Sequence, residues 1–165
     1  MENVIMASNL KELVYDKFKG FKTFQIIAIV KEGSNEDVAD LKAEINRYED
    51  LRFWHYAYGD DTQIRNLFNS LDSKIELNTN LGTDHVFIID KDRNQRGRLD
   101  ARDKDEKESN KPQTQLNSYD CIEVSEIKNE MSEDIRILFT EYRQKRKGKF
   151  DSDTRRKEGI KSNDE

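Results

Sequence analysis

Hydrophobic positions along the chain alternate between helical spacing and short unbroken runs. Near the N-terminus, apolar residues separated by three and four positions predict an amphipathic helix over residues 9–19. The stripe comprises Leu10, Leu13, Val14 and Phe18. Ser8 or Asn9 is placed to cap this helix, and Gly20 is placed to end it.

Two segments then pair an apolar run with a helical stripe, which predicts strand followed by helix twice. Residues 24–30 form an apolar run of strand length, and helical spacing resumes after residues 33–34. Residues 51–58 are rich in aromatic residues and predict the second strand, which ends at residues 59–61. The two helical stripes comprise Val38, Leu41, Ile45 and Tyr48, and then Ile64, Leu67, Phe68 and Leu71.

Residues 84–100 carry the most informative pattern, an apolar strand that runs into a charged turn and a second short strand. In a chain this polar, residues 86–89 can be continuously apolar only if both faces of the strand are covered, as in the parallel sheets of α/β domains. Residues 91–95 form the turn and lead to a strand over residues 96–99. The two strands are predicted to form a hairpin.

The region after the hairpin is predicted to hold a polar loop and a long helix. Residues 100–117 mix both charge signs, include Pro112 and lack an apolar face, which indicates a solvated loop. Asp120 or Ser118 is placed to cap the C-terminal helix. Its apolar stripe comprises Val124, Ile127, Met131, Ile135, Leu138 and Tyr142.

Composition favours one folded domain with a polar tail. The chain has 165 residues, of which 34% are hydrophobic and 38% charged, and its apolar residues cluster in the periodic segments. We therefore predict a domain over residues 1–145 and a disordered basic tail over residues 146–165. The net charge of -5 argues against general binding to nucleic acid or to anionic membranes.

Cysteine usage narrows the chemistry further. Cys121 is the one cysteine in the sequence, so an internal disulfide and a redox centre of two cysteines in this chain are both excluded. No apolar run reaches the roughly 18 residues of a membrane span, and Met1 is followed by Glu2 rather than by the basic and apolar regions of a signal peptide.

The hairpin carries a family resemblance. Residues 86–92, followed by residues 96–98 and Asp100, resemble the late hairpin of the SCO/SenC family, a thioredoxin-like family of copper-handling and redox proteins of respiratory membranes. Residues 4–10 are similar to the stretch that follows the second cysteine of that family's CxxxC motif. Residues 54–59, with Gln63 and Ile64, are similar to the strand and helix that precede its hairpin.

The resemblance implies an α/β fold of thioredoxin-like type, with a mixed sheet flanked by helices. The family's central strand would precede Met1, so the first strand of the fold is expected to be missing. Residues 24–30 and 86–90 then lack the neighbour that normally lies between them. We expect a truncation or a late start codon, with a membrane anchor upstream and a location in the cell envelope.

Departures from the family concern its metal chemistry. The family binds copper through two thiolates and one histidine, yet the second cysteine position falls near Asn3 and the first lies before Met1. His85 is the nearest candidate for the metal-ligating histidine, about three residues closer to the Ile-Asp pair than in the family pattern. Cys121 matches no family cysteine, and Pro112 lies in the loop, so no cis-proline counterpart exists.

Each candidate site residue also has a structural interpretation. Asp84 beside His85 suits a ligand or proton-transfer pair, although a lone histidine at a strand entrance is more often structural. His55 is expected to have a surface or packing role. Asp120 and Glu123 oppose thiolate formation at Cys121, which favours inert packing.

Two charge clusters also have both a functional and a structural interpretation. The acidic residues within 100–108 lack the glycine of a calcium loop and alternate with basic residues, which indicates a solvated charge run. The basic cluster of residues 143–149 suits complementarity to a helix C-terminus, or contact with acidic lipid or RNA.

Three functions follow as hypotheses. The leading one is a non-catalytic, SCO-related binding or assembly module of the cell envelope with an unidentified protein partner, no nucleic acid and no cofactor. The alternative is a copper metallochaperone or thiol-redox protein whose CxxxC lies upstream, in which case copper is the cofactor and His85 a ligand. A third is an interaction protein that uses its basic tail.

Overall fold

The fold is mixed α/β, and the computed structural model describes residues 2–148. The helices are α1 (Glu2–Leu10), α2 (Asp16–Phe18), α3 (Asn35–Ile45), α4 (Asp61–Asn69), α5 (Lys104–Glu108) and α6 (Ser132–Arg146). The strands are β1 (Ile26–Lys31), β2 (Trp54–Gly59), β3 (His85–Val86), β4 (Ile88–Ile89), β5 (Gln95–Arg96) and β6 (Tyr119–Asp120).

The N-terminal helical segment is longer than predicted. It begins at Glu2, and a π-helical segment over Lys11–Tyr15 joins α1 to α2. The predicted stripe is confirmed on its core side, where the buried members are Leu10, Val14 and Phe18. The predicted cap is wrong, because the Asn9 amide donates a hydrogen bond to the Cys121 carbonyl at 2.9 Å instead.

The first strand and helix lead into a parallel pair. β1 and β2 run parallel, with Ile26 opposite Trp54 and Lys31 opposite Gly59. The helix between them, α3, buries Val38 and Ile45. Tyr48 was predicted to share this stripe, but it lies beyond the end of α3 and its side chain is 90% exposed.

Helix α4 forms where the stripe predicts it, although Leu67 is 45% exposed and Leu71 lies beyond the end of the helix. Asp60 caps it, because its carboxylate accepts a hydrogen bond from the Gln63 N–H at 2.8 Å while the Gln63 side chain accepts one from the Asp60 N–H at 2.9 Å. This reciprocal arrangement satisfies two donors that the first helical turn leaves free. Ile64 is buried beneath it.

The hairpin forms, but with shorter strands and less burial than predicted. Ile88 pairs with Arg96 and Ile89 with Gln95 in antiparallel β4 and β5. The expectation that residues 86–89 are covered on both faces is wrong, because Ile88 is buried whereas Ile89 is 48% exposed. On the face that carries Ile89, Phe87 packs edge-to-face against Phe68 of α4, so the strand is covered on one face fully and on the other only in part.

The region after the hairpin contains more structure than a solvated loop. Arg98 and Leu116 form an antiparallel bridge, and α5 is a short helix with a capping box between Asp103 and Glu106. A strand that was not predicted, β6, pairs with β3. Ser118 and Asp120 were predicted as helix caps, but Asp120 belongs to this strand.

The C-terminal helical segment supplies one wall of the core. It contains a π-helical stretch over Glu126–Met131 and then α6. Most of the predicted stripe is buried, but Val124 is 46% exposed. Part of the predicted tail, residues 149–165, lies outside the described residues. The core unites the N-terminal helices, the β1–β2 pair, β4 and this segment; its buried members include Val14, Tyr15, Trp54, Ile88, Tyr119, Ile127 and Leu138.

The six strands form three separate two-stranded sheets. β1 pairs with β2, β3 with β6, and β4 with β5. Within residues 2–148, β1 is not joined to the strand that carries β3 and β4. As a result, β1 and the strand that carries β3 and β4 each keep one edge without a partner strand.

Candidate functional site

The predicted metal ligand lies at the entrance of β3. His85 is half-buried, and its backbone N–H donates to the Thr83 hydroxyl at 3.1 Å. The backbone carbonyl of Asp84 accepts a hydrogen bond from the Cys121 N–H at 2.8 Å. In the part of the chain that the structure describes, no group of three or more His, Cys, Asp or Glu side chains is arranged to hold a metal ion.

Cys121 is fully buried at the end of β6. Burial raises the pKa of its thiol to about 12, and the carboxylates of Asp120, Asp84 and Glu126 act in the same direction. A thiol that keeps its proton at neutral pH is a poor nucleophile and a poor metal ligand. Cys121 is therefore chemically inert in the folded protein.

The acidic run after the hairpin is used locally. Both carboxylate oxygens of Asp100 accept hydrogen bonds from the Arg102 guanidinium at 2.8 Å, and these bonds lower the pKa of Asp100 to about 2. Asp103 and Glu106 cap α5. The basic residues that the structure describes at the end of α6 are exposed; they are Arg143, Lys145, Arg146 and Lys147. The acidic cluster thus lies in the polar segment after the hairpin, and the basic cluster lies at the C-terminal end of the last helix, as the sequence predicted.

A partly buried ionic network ties the hairpin region to the last helix. The Arg98 guanidinium lies 3.0 Å from the Asp134 carboxylate and also contacts the Glu130 and Glu133 carboxylates. The Tyr119 hydroxyl donates to Asp134 at 2.7 Å. Burial alone would lower the pKa of Arg98, but these carboxylates raise it. The network joins the segment after β5 to the last helix, so it has a structural role.

The outer face of the β1–β2 pair is partly open: α4 packs on it near Gly59, but its middle is exposed. Side chains of β1 alternate between half-buried and exposed positions. Ile27 is 52% exposed and Ile29 is 45% exposed, and opposite them on β2 His55 and Ala57 are exposed as well. Parallel strands are usually covered on both faces. An apolar outer face on a parallel pair is thus an unusual feature of this molecule.

One edge of β1 is also unpaired. The N–H of Ile26 donates to the Phe53 carbonyl at 2.9 Å, and the N–H of Glu32 donates to the Gly59 carbonyl at 3.0 Å. The backbone groups of even-numbered residues therefore face β2, and those of Ile27 and Ile29 face the other way. Nothing within residues 2–148 hydrogen-bonds to the N–H or C=O of Ile27 or Ile29.

The strand that carries β3 and β4 has a similar edge. The Asp84 carbonyl bonds to Cys121, and the Asp90 N–H donates to the Asn94 carbonyl at 2.9 Å, so even-numbered residues face β6 and β5. Phe87 and Ile89 present their backbone groups on the opposite side. These groups also have no hydrogen-bond partner in the described range.

We name the two edges the open strand edges; they comprise the backbone and the exposed side chains of Ile27, Ile29 and Ile89, and the backbone of Phe87, whose ring packs against Phe68. Reasoning from sequence missed them as a site, because an unbroken apolar run was interpreted as a strand covered on both faces. One signal was present: residues 24–30 contain neither a charge nor a proline, the usual devices that protect an edge strand.

Comparisons with family models, with curated proteins and with solved structures find no match to this chain. None of the helices within residues 2–148 combines the length and the apolar character needed to cross a membrane. The site must therefore be interpreted from its own geometry.

Proposed function

We propose that this protein is a non-catalytic binding or assembly module of thioredoxin-like, SCO-related architecture that acts in the cell envelope and binds a protein partner. The observation that carries the proposal is the apolar, unpaired outer edge of β1. Exposed strand edges of this kind pair readily with other chains, and natural proteins usually protect them. An unprotected edge is therefore typical of a binding surface.

The chemistry of the candidate residues favours binding over catalysis. The Cys121 thiol is buried and keeps its proton. His85 and His55 lie on different strands that are not paired with each other. No second observation favours the copper-carrying alternative.

Site-specific photo-crosslinking in the source cells tests the proposal. A photoreactive amino acid at Ile29 is expected to give a defined adduct with one protein, and the same group at Val124 is expected to give none. Val124 is a matched control because its side chain is 46% exposed, but it follows β6 and lies away from the open strand edges. The Ile27→Lys variant, which adds a charge to the exposed edge, is expected to abolish the adduct while leaving the far-ultraviolet circular dichroism unchanged.

Copper(I) titration of the purified chain provides the opposing test. Tight stoichiometric binding that His85→Ala abolishes would overturn the proposal in favour of a metal carrier. Equal adduct formation at Ile29 and Val124 would also overturn it, because the open face would then have no specific partner.

A further inference from the structure

We infer that a basic patch around an exposed aromatic stack binds a short acidic segment of a protein partner. We name it the cationic aromatic patch; it comprises Lys17, Phe21, Arg136, Phe139 and Arg143. None of these residues belongs to the open strand edges. The inference rests on the proposed function, because it names the chemistry of a second contact with a protein partner.

An aromatic stack forms the centre of the patch. The rings of Phe21 and Phe139 are stacked, with their centroids 4.2 Å apart and an angle of 19° between their planes. The buried ring of Phe18 lies 6.2 Å from that of Phe21 and 6.0 Å from that of Phe139. Phe21 is nevertheless 45% exposed. Its ring is therefore held by the core and still presents apolar surface to a partner, as the anchor residues of interfaces do.

Three cations surround this stack. Arg136 and Arg143 are exposed and lie three positions before and four positions after Phe139, so they share its face of α6. Lys17 reaches the same face, because its ammonium donates to the Ser132 hydroxyl at 3.4 Å and Ser132 precedes Arg136 by four positions. Within residues 2–148, none of these three cations forms an ion pair with a carboxylate. The patch therefore carries positive charge that the fold does not neutralise.

The charge of the surroundings favours an anionic occupant of limited size. Asp16 is already paired with Lys11 at 3.1 Å and with Lys19 at 3.2 Å, so it does not neutralise the patch. The chain as a whole carries a net charge of -5, which repels an extended polyanion such as nucleic acid or an anionic membrane. A short acidic segment contacts only the patch, and salt screens its repulsion from more distant carboxylates.

The side chains of the patch specify the occupant further. Guanidinium groups bind carboxylates through paired hydrogen bonds, which suits Arg136 and Arg143 to aspartate and glutamate. The exposed ring of Phe21 favours an aromatic side chain, because aromatic pairs gain energy beyond the area that they bury. We therefore expect an acidic segment that carries a tryptophan or tyrosine between its carboxylates. Such a segment combines an aromatic anchor with a charged rim.

A synthetic peptide provides the direct test. The probe is a fluorescein-labelled peptide, glutamate-aspartate-glutamate-tryptophan-glutamate-aspartate-glutamate. We expect saturable binding in fluorescence anisotropy, which added salt should weaken. Replacing the tryptophan with alanine should weaken binding by about fivefold. Replacing the acidic residues with glutamine and asparagine should abolish it, because the patch then meets no opposite charge.

A charge reversal in the protein tests the cations. Arg136→Glu should weaken peptide binding by about fivefold or more. Arg65→Glu is the matched control, because Arg65 is also exposed on a helix and, in the described part of the chain, forms no ion pair. It changes the net charge equally, but it lies on α4. It should leave the affinity within about twofold of the wild-type value.

An aromatic substitution tests the stack. Phe21→Ala should weaken binding by about fivefold, and Tyr58→Ala should leave it unchanged. Tyr58 is a matched control because it is 44% exposed, but it lies near the carboxyl end of β2, whereas Phe21 precedes the amino end of β1. Phe21→Leu keeps an apolar contact with the core and provides the same test, should Phe21→Ala disturb the fold. Circular dichroism of each variant checks that the fold is retained.

The outcomes separate the inference from the proposed function. No binding of the peptide, or equal losses for Arg136→Glu and Arg65→Glu, would overturn the inference. Binding of a single-stranded oligonucleotide or of phosphatidylglycerol vesicles in place of the peptide would identify another anionic occupant and would also overturn it. In each case, a specific crosslink at Ile29 would leave the proposed function standing. Absence of both peptide binding and the Ile29 crosslink would overturn both.

Discussion

Arg96 and Glu141 form a buried ion pair that joins the hairpin to the last helix. Arg96 Nη2 and Glu141 Oε2 are 2.6 Å apart, and the two side chains are 10% and 5% exposed. Asp90 lies on the other side of the guanidinium, with Oδ2 3.7 Å from Nη1. One cation thus neutralises two buried carboxylates. The Asp90 carboxylate also accepts hydrogen bonds from the N–H groups of Asp92 and Asn94 in the hairpin turn. Because Arg96 stabilises the charge on Asp90, it also supports the turn.

Removing the cation should be strongly destabilising. Arg96→Met leaves Glu141 and Asp90 buried without a counter-charge, and we expect the free energy of unfolding to fall by about 3–5 kcal/mol in urea denaturation. Arg96→Met combined with Glu141→Leu should recover part of the loss, since one uncompensated charge is then removed.

An exposed pair is the control for this ion pair. Arg47 and Glu44 are 2.8 Å apart with both side chains about half exposed, so Arg47→Met should cost less than about 1 kcal/mol. Equal losses for Arg96→Met and Arg47→Met would contradict the role assigned to the buried pair.

Gly97 permits a close approach between the hairpin and the segment before β6. A Cβ at this position would lie 2.4 Å from the Leu116 carbonyl oxygen and 2.9 Å from the Asn117 Cα. Both are backbone atoms, and they flank the bridge between Arg98 and Leu116. Gly97→Ala should therefore lower the free energy of unfolding by about 1–3 kcal/mol.

Gly20→Ala is the matched substitution, because no atom lies within 4 Å of the Cβ it would add. It should change the free energy of unfolding by no more than about 0.5 kcal/mol. Thermal or urea denaturation of both variants measures the difference. A Gly97→Ala variant as stable as the wild-type protein would contradict this prediction, because it would show that the Arg98–Leu116 bridge can move without a loss of stability.

Local pattern predicted those parts of the fold that local interactions determine. The helical spacing that starts at Ile64 predicted α4, and Ile64 is buried as that spacing implies. Strand β6 has no such signature, because it consists of two residues paired with His85 and Val86 far away in sequence. Asn9 likewise looks like a helix cap locally, yet its amide bonds to Cys121, 112 positions away.

The open strand edges were missed for a related reason. An apolar run such as residues 24–30 reports that the strand avoids water, but not whether the covering surface belongs to the same chain. Ile27 and Ile29 have the residue type of a buried strand and the exposure of an outer surface. Hydrophobicity in the sequence does not distinguish a core from a binding surface.

Amide exchange should show the two sides of β1 directly. The N–H groups of Ile26 and Glu32 are bonded to β2, and the register extends this to the even-numbered residues between them. Those of Ile27 and Ile29 face the free edge. In the unliganded protein, we expect slow exchange at even-numbered residues and fast exchange at Ile27 and Ile29, measured by nuclear magnetic resonance. Uniform protection along β1 would mean that this edge is already covered.

The buried thiol of Cys121 should make stability depend on alkaline pH. Burial raises its pKa from 9.0 to about 12, so the folded protein retains a proton that the unfolded chain releases. The resulting stabilisation is fully present below pH 9 and is lost as the pH rises from 9 towards 12. Tyr56 and Tyr142 also have raised pKa values, so the comparison must be with Cys121→Ala, which keeps both tyrosines. Urea denaturation at a series of pH values should show a steeper fall for the wild-type chain than for Cys121→Ala. Parallel curves would contradict the raised pKa, and rapid reaction of the folded protein with a thiol reagent at neutral pH would contradict the burial.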